Sequence, residues 1–212
     1  MKKAYVFDLD GTTINSDHRV RPCLLPNGDL DLQKYIAEAC TPEKVADDTL
    51  LPLAGYMQQL IKAGEIVVIC TARFMLAHDY VFLRQNKLRA PIICSRDQLP
   101  RVFGEGNAAR ISAMSDASYK REWFEHLFDS LPNVTDWIFF DDHKGVLEMA
   151  SNLAGVTATD AVLMNELLHM QWADIYRQGE QDTAELIQDL IEECSAQDVI
   201  FSPEWIDQLL AE

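Results

Sequence analysis

The chain opens with a short, nearly continuous apolar run at residues 4–7, and four more such runs recur, at 66–70, 91–94, 137–140 and 156–159. Unbroken runs of this length suit strands covered on both faces, as in a parallel sheet, better than the strict alternation of a half-exposed one. Between them lie stretches with helical spacing. Leu53, Met57, Leu60 and Ile61 share one face and stop at Gly64, and residues 74–85, 118–131 and 146–153 also read as helices, the third with Ser118 as a possible N-cap. Strand and helix alternating four times predict an α/β fold, a doubly wound parallel sheet with right-handed crossovers. Residues 15–49 are polar and irregular, with a short helix expected at 32–40. Residues 96–117, punctuated by Pro100, Gly104 and Gly106, read as loop.

Beyond residue 160 the pattern changes to helices alone. Ile187, Leu190, Ile191 and Cys194 form one apolar stripe, and Ser202-Pro203-Glu204 is a helix start. Such helices must bury their stripes on the sheet domain or on another subunit. The expected organisation is therefore a core over 1–159, with 15–49 as a small lid or loop insertion, and a helical extension over 160–212. Charge divides the same way. From Asp160 onward 13 acids face Arg177 alone, a net −12 of the total −16, whereas the first 159 residues are only mildly acidic. An acidic whole disfavours tight non-specific nucleic-acid binding without excluding a local basic groove. With 48% hydrophobic residues in 212, the chain can bury a substantial core. No run approaches the length of a membrane span, and no signal peptide is evident. Cys23, Cys40, Cys70, Cys94 and Cys194 are odd in number and lack metal-ligand spacing, which fits a reduced, cytoplasmic setting.

Polar groups stand where three of the strands end. Asp8 and Asp10 follow the first, with Gly11 permitting a sharp turn; Thr71 follows the second; Asp141 and Asp142 follow the fourth. Parallel strands share one carboxyl edge, the edge at which open α/β sheets build their sites. Neighbouring carboxylates repel unless a cation or proton intervenes, and Mg²⁺ is the natural cation for oxygen ligands. Each group also has a plainer reading: Asp8 and Asp10 as a solvated turn, Thr71 as a helix cap, Lys120 as a surface lysine, and Asp141-Asp142 as the cap of the following helix.

The set as a whole resembles the haloacid dehalogenase (HAD) phosphohydrolase superfamily over residues 1–159. The motifs are DLDGT at 8–12, Thr71 after its strand, Lys120, and Asp141-Asp142 after WIFF. The resemblance implies a Rossmannoid fold with a small cap or none. It implies Asp8 as nucleophile through an aspartyl-phosphate and Asp10 as acid/base. Thr71 and Lys120 would bind the phosphoryl group, and Asp8, Asp10 (through its backbone carbonyl), Asp141 and Asp142 would hold Mg²⁺. Within that superfamily, VVICTAR, ICSRDQ, YKREWFEHL and IFFDDHKGVLEMASNLAGV are similar to the 3′-phosphatase domain of phage-type polynucleotide kinases. On that likeness Arg73 and Arg96 would assist phosphate binding; the alternative is that both sit in salt bridges. His143 reads as a helix-start residue. No GxxxxGK[ST] sequence is present, so no kinase domain is expected.

Three readings of function follow. One is a phosphatase acting on a nucleic-acid 3′-phosphate end or a nucleotide, and another is a small-metabolite or 5′-nucleotide phosphatase lidded by 15–49 and the tail. The third is a non-enzymatic protein that uses the acidic helices as an interaction surface, as a mimic of nucleic acid. Whatever the function, those helices are where a second copy of the chain (in a homo-oligomer) or another protein partner is expected to dock.

Overall fold

A computed structural model of the chain describes residues 2–26, 31–178 and 191. Seven strands are present in it: β1 Lys2–Phe7, β2 Ile14–Asn15, β3 Thr49–Leu50, β4 Ile66–Cys70, β5 Ile92–Cys94, β6 Val134–Asp141 and β7 Val156–Asp160. The helices are α1 Asp17–Val20, α2 Leu32–Lys34, α3 Pro42–Ala46, α4 Pro52–Ala63, α5 Ala77–Gln85, α6 Leu99–Phe103, α7 Glu105–Ser112, α8 Asp116–Ser130, α9 Lys144–Ser151 and α10 Ala161–Gln178.

Five strands form one sheet in the order β5-β4-β1-β6-β7, every neighbouring pair parallel. The chain moves outward from the central β1 to β4 and β5, then returns to the other side of β1 for β6 and β7. The strand order thus reverses beside β1, the switch point at which open α/β sheets leave a crevice. Alternate residues of each strand face opposite layers. Phe7, Val67, Ile69, Ile138 and Phe140 pack with α4, α5 and α10, while Ala4, Val6, Val68, Trp137 and Phe139 pack with α7, α8 and α9. Coverage of both faces explains why the strands read as continuous apolar runs.

The breaker-rich stretch 96–117 is not a loop. It holds a 3-10 turn at Arg96–Gln98 followed by α6 and α7. Pro100 falls in the first turn of α6, where its missing N–H costs nothing, and Gly104 at φ +78° separates the two helices. The breakers set the ends of short helices rather than preventing them. The cap of α8 is Ser115, not Ser118, its Oγ accepting from the Ser118 N–H. Likewise α5 begins at Ala77, because the Asp79 carboxylate takes the Leu76 N–H.

The insertion 15–49 is more ordered than its composition suggests. It contains α1, a 3-10 turn, α2 continued by a π turn at Tyr35–Ala39, and α3, and its ends pair as β2 and β3. At the other end, α10 follows β7 and buries Leu163, Met164, Leu167 and Leu168 in the sheet core, where Ile191 is also buried. Of the predicted tail stripe only Ile191 belongs to the described residues; Ile187, Leu190, Cys194 and the 202–204 helix start lie outside them. Among the described residues no helix is long and apolar enough to cross a membrane.

Candidate active site

The sheet register assembles the site. Phe7 pairs with Ile69 on one side and Phe140 on the other, and the Asp8 N–H donates to the Phe140 carbonyl at 3.0 Å. One residue further, Asp8 and Asp141 stand on adjacent chains at the carboxyl edge. After Asp8 the backbone folds tightly: Thr13 Oγ1 donates to the Asp8 carbonyl at 3.0 Å, and Gly11 at φ +75° turns the chain. A Cβ on Gly11 would sit 2.4 Å from Asp142 Oδ2, so the absent side chain is what lets the Asp142 carboxylate lie against this turn.

Lys120 arrives from α8. Tyr119, Trp123, Phe124 and Leu127 anchor that helix in the core, and the Tyr119 hydroxyl donates to the Thr71 carbonyl at 3.0 Å. Buried Lys120 then places Nζ 3.0 Å from Asp8 Oδ1 and 2.5 Å from Asp141 Oδ2. Its hydrogen bond goes to Asp141, leaving Asp8 Oδ1 buried with no hydrogen-bond partner. Burial opposes the lysine's charge, but Asp8 and Asp141 outweigh it and raise its pKa. Burial pushes the Asp8 carboxyl up to about 8; Lys120 pulls it down, and Asp141, Asp10 and Asp142 push it further up. Burial, with Asp141 beside it, also lifts Asp142 to about 6.

Asp10 is held differently. The Arg73 guanidinium grips its carboxylate with Nε, at 3.0 Å, and with Nη2, while Nη1 donates to Asp79 at 2.7 Å. Ser16 Oγ donates to Asp10 Oδ1 at 2.5 Å, and Arg19 Nη2 lies 3.8 Å from the same oxygen. Burial alone would raise the Asp10 pKa, but Arg73, helped by Ser16 and Arg19, brings it down to about 2. Arg19 is itself fixed by a bidentate pair with Asp48, at 2.7 and 2.8 Å, and donates to the Tyr35 hydroxyl at 3.2 Å. The insertion is therefore wired to Asp10 by buried charge.

The structure brings Asp8, Asp10, Lys120, Asp141 and Asp142 to one rim. Thr71 is buried at the end of β4 beside it, its Oγ1 accepting the Arg73 N–H at 3.2 Å; it caps no helix, since α5 starts six residues later. Arg73 is engaged by Asp10 and Asp79. Arg96 is a staple between segments: its Nε donates to the Ala72 carbonyl at 2.6 Å, Nη1 to the Ser112 carbonyl at 2.5 Å, and Nη2 to Asp116 at 3.1 Å. For both arginines the salt-bridge alternative describes the geometry. His143 stands at the N-cap of α9, its carbonyl accepting from the Val146 and Leu147 N–H groups, while its own N–H donates to Asp141 Oδ1 at 3.0 Å. Arg19, Asp48, Asp79, Ser16 and Tyr35 are additions that the sequence did not announce: Ser16, Arg19, Tyr35 and Asp48 come from the polar, irregular stretch 15–49, and Asp79 from the first turn of α5, where an acid is ordinary.

Whether the acids suit a divalent cation follows from their charges. Asp8, Asp10, Asp141 and Asp142 outnumber Lys120 and Arg73, and Asp8 Oδ1 is buried with the Lys120 ammonium 3.0 Å away but no hydrogen bond. Among the described residues no group of three or more acidic, histidine or cysteine side chains is arranged to hold a metal ion. Mg²⁺ does not need one, since it keeps several waters and takes one or two carboxylates together with substrate phosphate oxygens. Carboxylate oxygens are donors of the kind that ion takes.

A family model described as bacteriophage T5 5′-deoxynucleotidase matches residues 1–212. A 5′-deoxynucleotidase of Escherichia phage T5 is 41% identical over 174 residues, covering 79% of this chain and 70% of the relative. With the whole chain matched, this protein belongs to the bacteriophage T5 5′-deoxynucleotidase family.

Proposed function

We propose that the protein hydrolyses the phosphomonoester of 5′-deoxynucleotides, with Asp8 as nucleophile and Mg²⁺ bound by Asp8, Asp141, Asp142 and the Asp10 carbonyl. The observation that carries this reading is the buried Asp8–Lys120–Asp141 cluster at the ends of β1 and β6. It supplies a carboxylate at the sheet edge to act as nucleophile and an ammonium beside it to offset repulsion between that carboxylate and an incoming phosphate. When bound, Mg²⁺ supplies charge neutralisation and orients the phosphate.

In the first half-reaction an Asp8 oxygen forms a bond to phosphorus while the bond from phosphorus to the 5′-oxygen breaks, and a proton that Asp10 has first taken up from solvent passes to the departing oxygen. In the second, Asp10 takes a proton from water as that water attacks the aspartyl-phosphate, releasing phosphate and restoring Asp8. The ionised, Arg73-held state of Asp10 favours this second role. Thr71 and Lys120 bind the phosphoryl oxygens, while Arg73 acts on the reaction through Asp10.

The family relationship moves the favoured substrate from a nucleic-acid 3′ end to a mononucleotide. Phosphate release measured with Mg²⁺ from 5′-deoxynucleotides, 5′-ribonucleotides and 3′-phosphorylated oligonucleotides tests the choice. Turnover of 5′-deoxynucleotides is expected to be fastest; turnover of the oligonucleotide alone would contradict the proposal.

A further inference from the structure

Eight large apolar side chains are exposed among the described residues, and they are not scattered. Leu24, Leu25, Ile36 and Leu50 belong to the insertion and the strand that closes it, and Phe74 and Leu76 to the loop between β4 and α5. Single exposed leucines need no explanation, but six of eight on the two segments that flank a site do. Phe74 is 58% exposed and is the one aromatic in this group.

The backbone on either side of Phe74 is fixed. The Arg73 N–H is held by Thr71 Oγ1, and the Arg73 carbonyl accepts from the Arg96 N–H at 3.1 Å. Buried Met75 donates its N–H to Asp97 at 3.2 Å, and the Leu76 N–H goes to Asp79 at 2.7 Å. An apolar ring is thus presented to solvent on a rigid loop, one residue from the arginine that grips Asp10. It lies three positions after Thr71, so their Cα atoms are within about 11 Å, a span of the order of a nucleoside monophosphate. On the other flank, exposed Ile36 neighbours Tyr35, whose hydroxyl accepts from Arg19.

We infer that Phe74 is a specificity-determining residue, the platform on which the base of the nucleotide stacks while its phosphate sits at Asp8. The inference rests on the nucleotidase reading. A phenyl face accepts any base, and a preordered ring gives up little freedom on binding. The position therefore selects nucleotides over base-free sugar phosphates more than one base over another.

Steady-state kinetics of the full chain with Mg²⁺, on a 5′-deoxynucleotide and on 2-deoxyribose 5-phosphate, test this. Phe74→Ala is expected to raise KM for the nucleotide about ten-fold, with kcat within about two-fold. It should leave KM for the sugar phosphate unchanged, and Phe74→Trp should restore the nucleotide KM. Being exposed, the site tolerates these changes without loss of fold. An unchanged nucleotide KM in Phe74→Ala, or an equal change for both substrates, overturns the inference while leaving the nucleotidase reading intact. Failure of the unsubstituted protein to hydrolyse either substrate overturns that reading and the inference with it.

Discussion

Asp10 and Asp142 both belong to the acidic rim, yet their surroundings push them in opposite directions. Burial lifts Asp142, whereas Arg73 overrides burial at Asp10 and brings its carboxyl down to about 2 from an ordinary 3.8. A carboxyl depressed on folding stabilises the native state fully above its unfolded value and loses that contribution as pH falls through the folded value. In chelator-containing buffer, urea unfolding of the wild type should therefore weaken between about pH 4 and pH 2, and Asp10→Asn should flatten that part of the profile. An identical pH dependence in the variant would mean that Arg73 does not hold Asp10 ionised. Gly11 supports a second prediction at this scale. Gly11→Ala forces a methyl group onto Asp142 Oδ2 and a side chain into left-handed backbone. Stability should fall by about 1–2 kcal/mol, while the Mg²⁺ concentration for half-maximal activity should rise about ten-fold. Metal dependence that moved no more than stability would detach Asp142 from the ion.

At the scale of elements, the continuous apolar runs made the five sheet strands legible, because sequence near a buried parallel strand has few alternatives. Helix termini were harder. The Ser115 cap and the Asp79 clamp on Leu76 depend on hydrogen bonds that several nearby polar residues could equally have made. Short helices such as α6 and α7 give too few turns for a stripe to show. Asp8, Asp10, Asp141 and Asp142 were legible because strand ends align chemistry in sequence, whereas Lys120, on α8, joined them only through the resemblance of the motifs. Arg19 and Asp48 were not, since a buried ion pair spanning 29 positions leaves no local pattern. The same holds for Asn165 of α10, whose side chain donates to the Thr12 carbonyl at 2.8 Å and accepts from the Leu53 N–H at 2.8 Å. It ties the last described helix to the turn that carries Asp10. Asn165→Ala leaves both backbone groups buried without these partners and should cost about 1–3 kcal/mol in urea unfolding. A change below a few tenths would show that α10 is held by its apolar face alone.

For the molecule as a whole, the arrangement is a sheet whose switch point lies beside β1, with one buried lysine facing two carboxylates and an insertion anchored by a second buried charge network. The excess acidity of residues after 160 stands apart from this cluster in sequence, and α10 reaches the turn that carries Asp10 through Asn165. The central claim is chemical: an Asp8 oxygen attacks phosphorus. Hydrolysis of a 5′-deoxynucleotide with Mg²⁺ by Asp8→Asn, compared with the wild type at matched fold, tests it most directly. The account predicts a fall in kcat of at least about 10³-fold. Turnover by Asp8→Asn at the wild-type rate would contradict it.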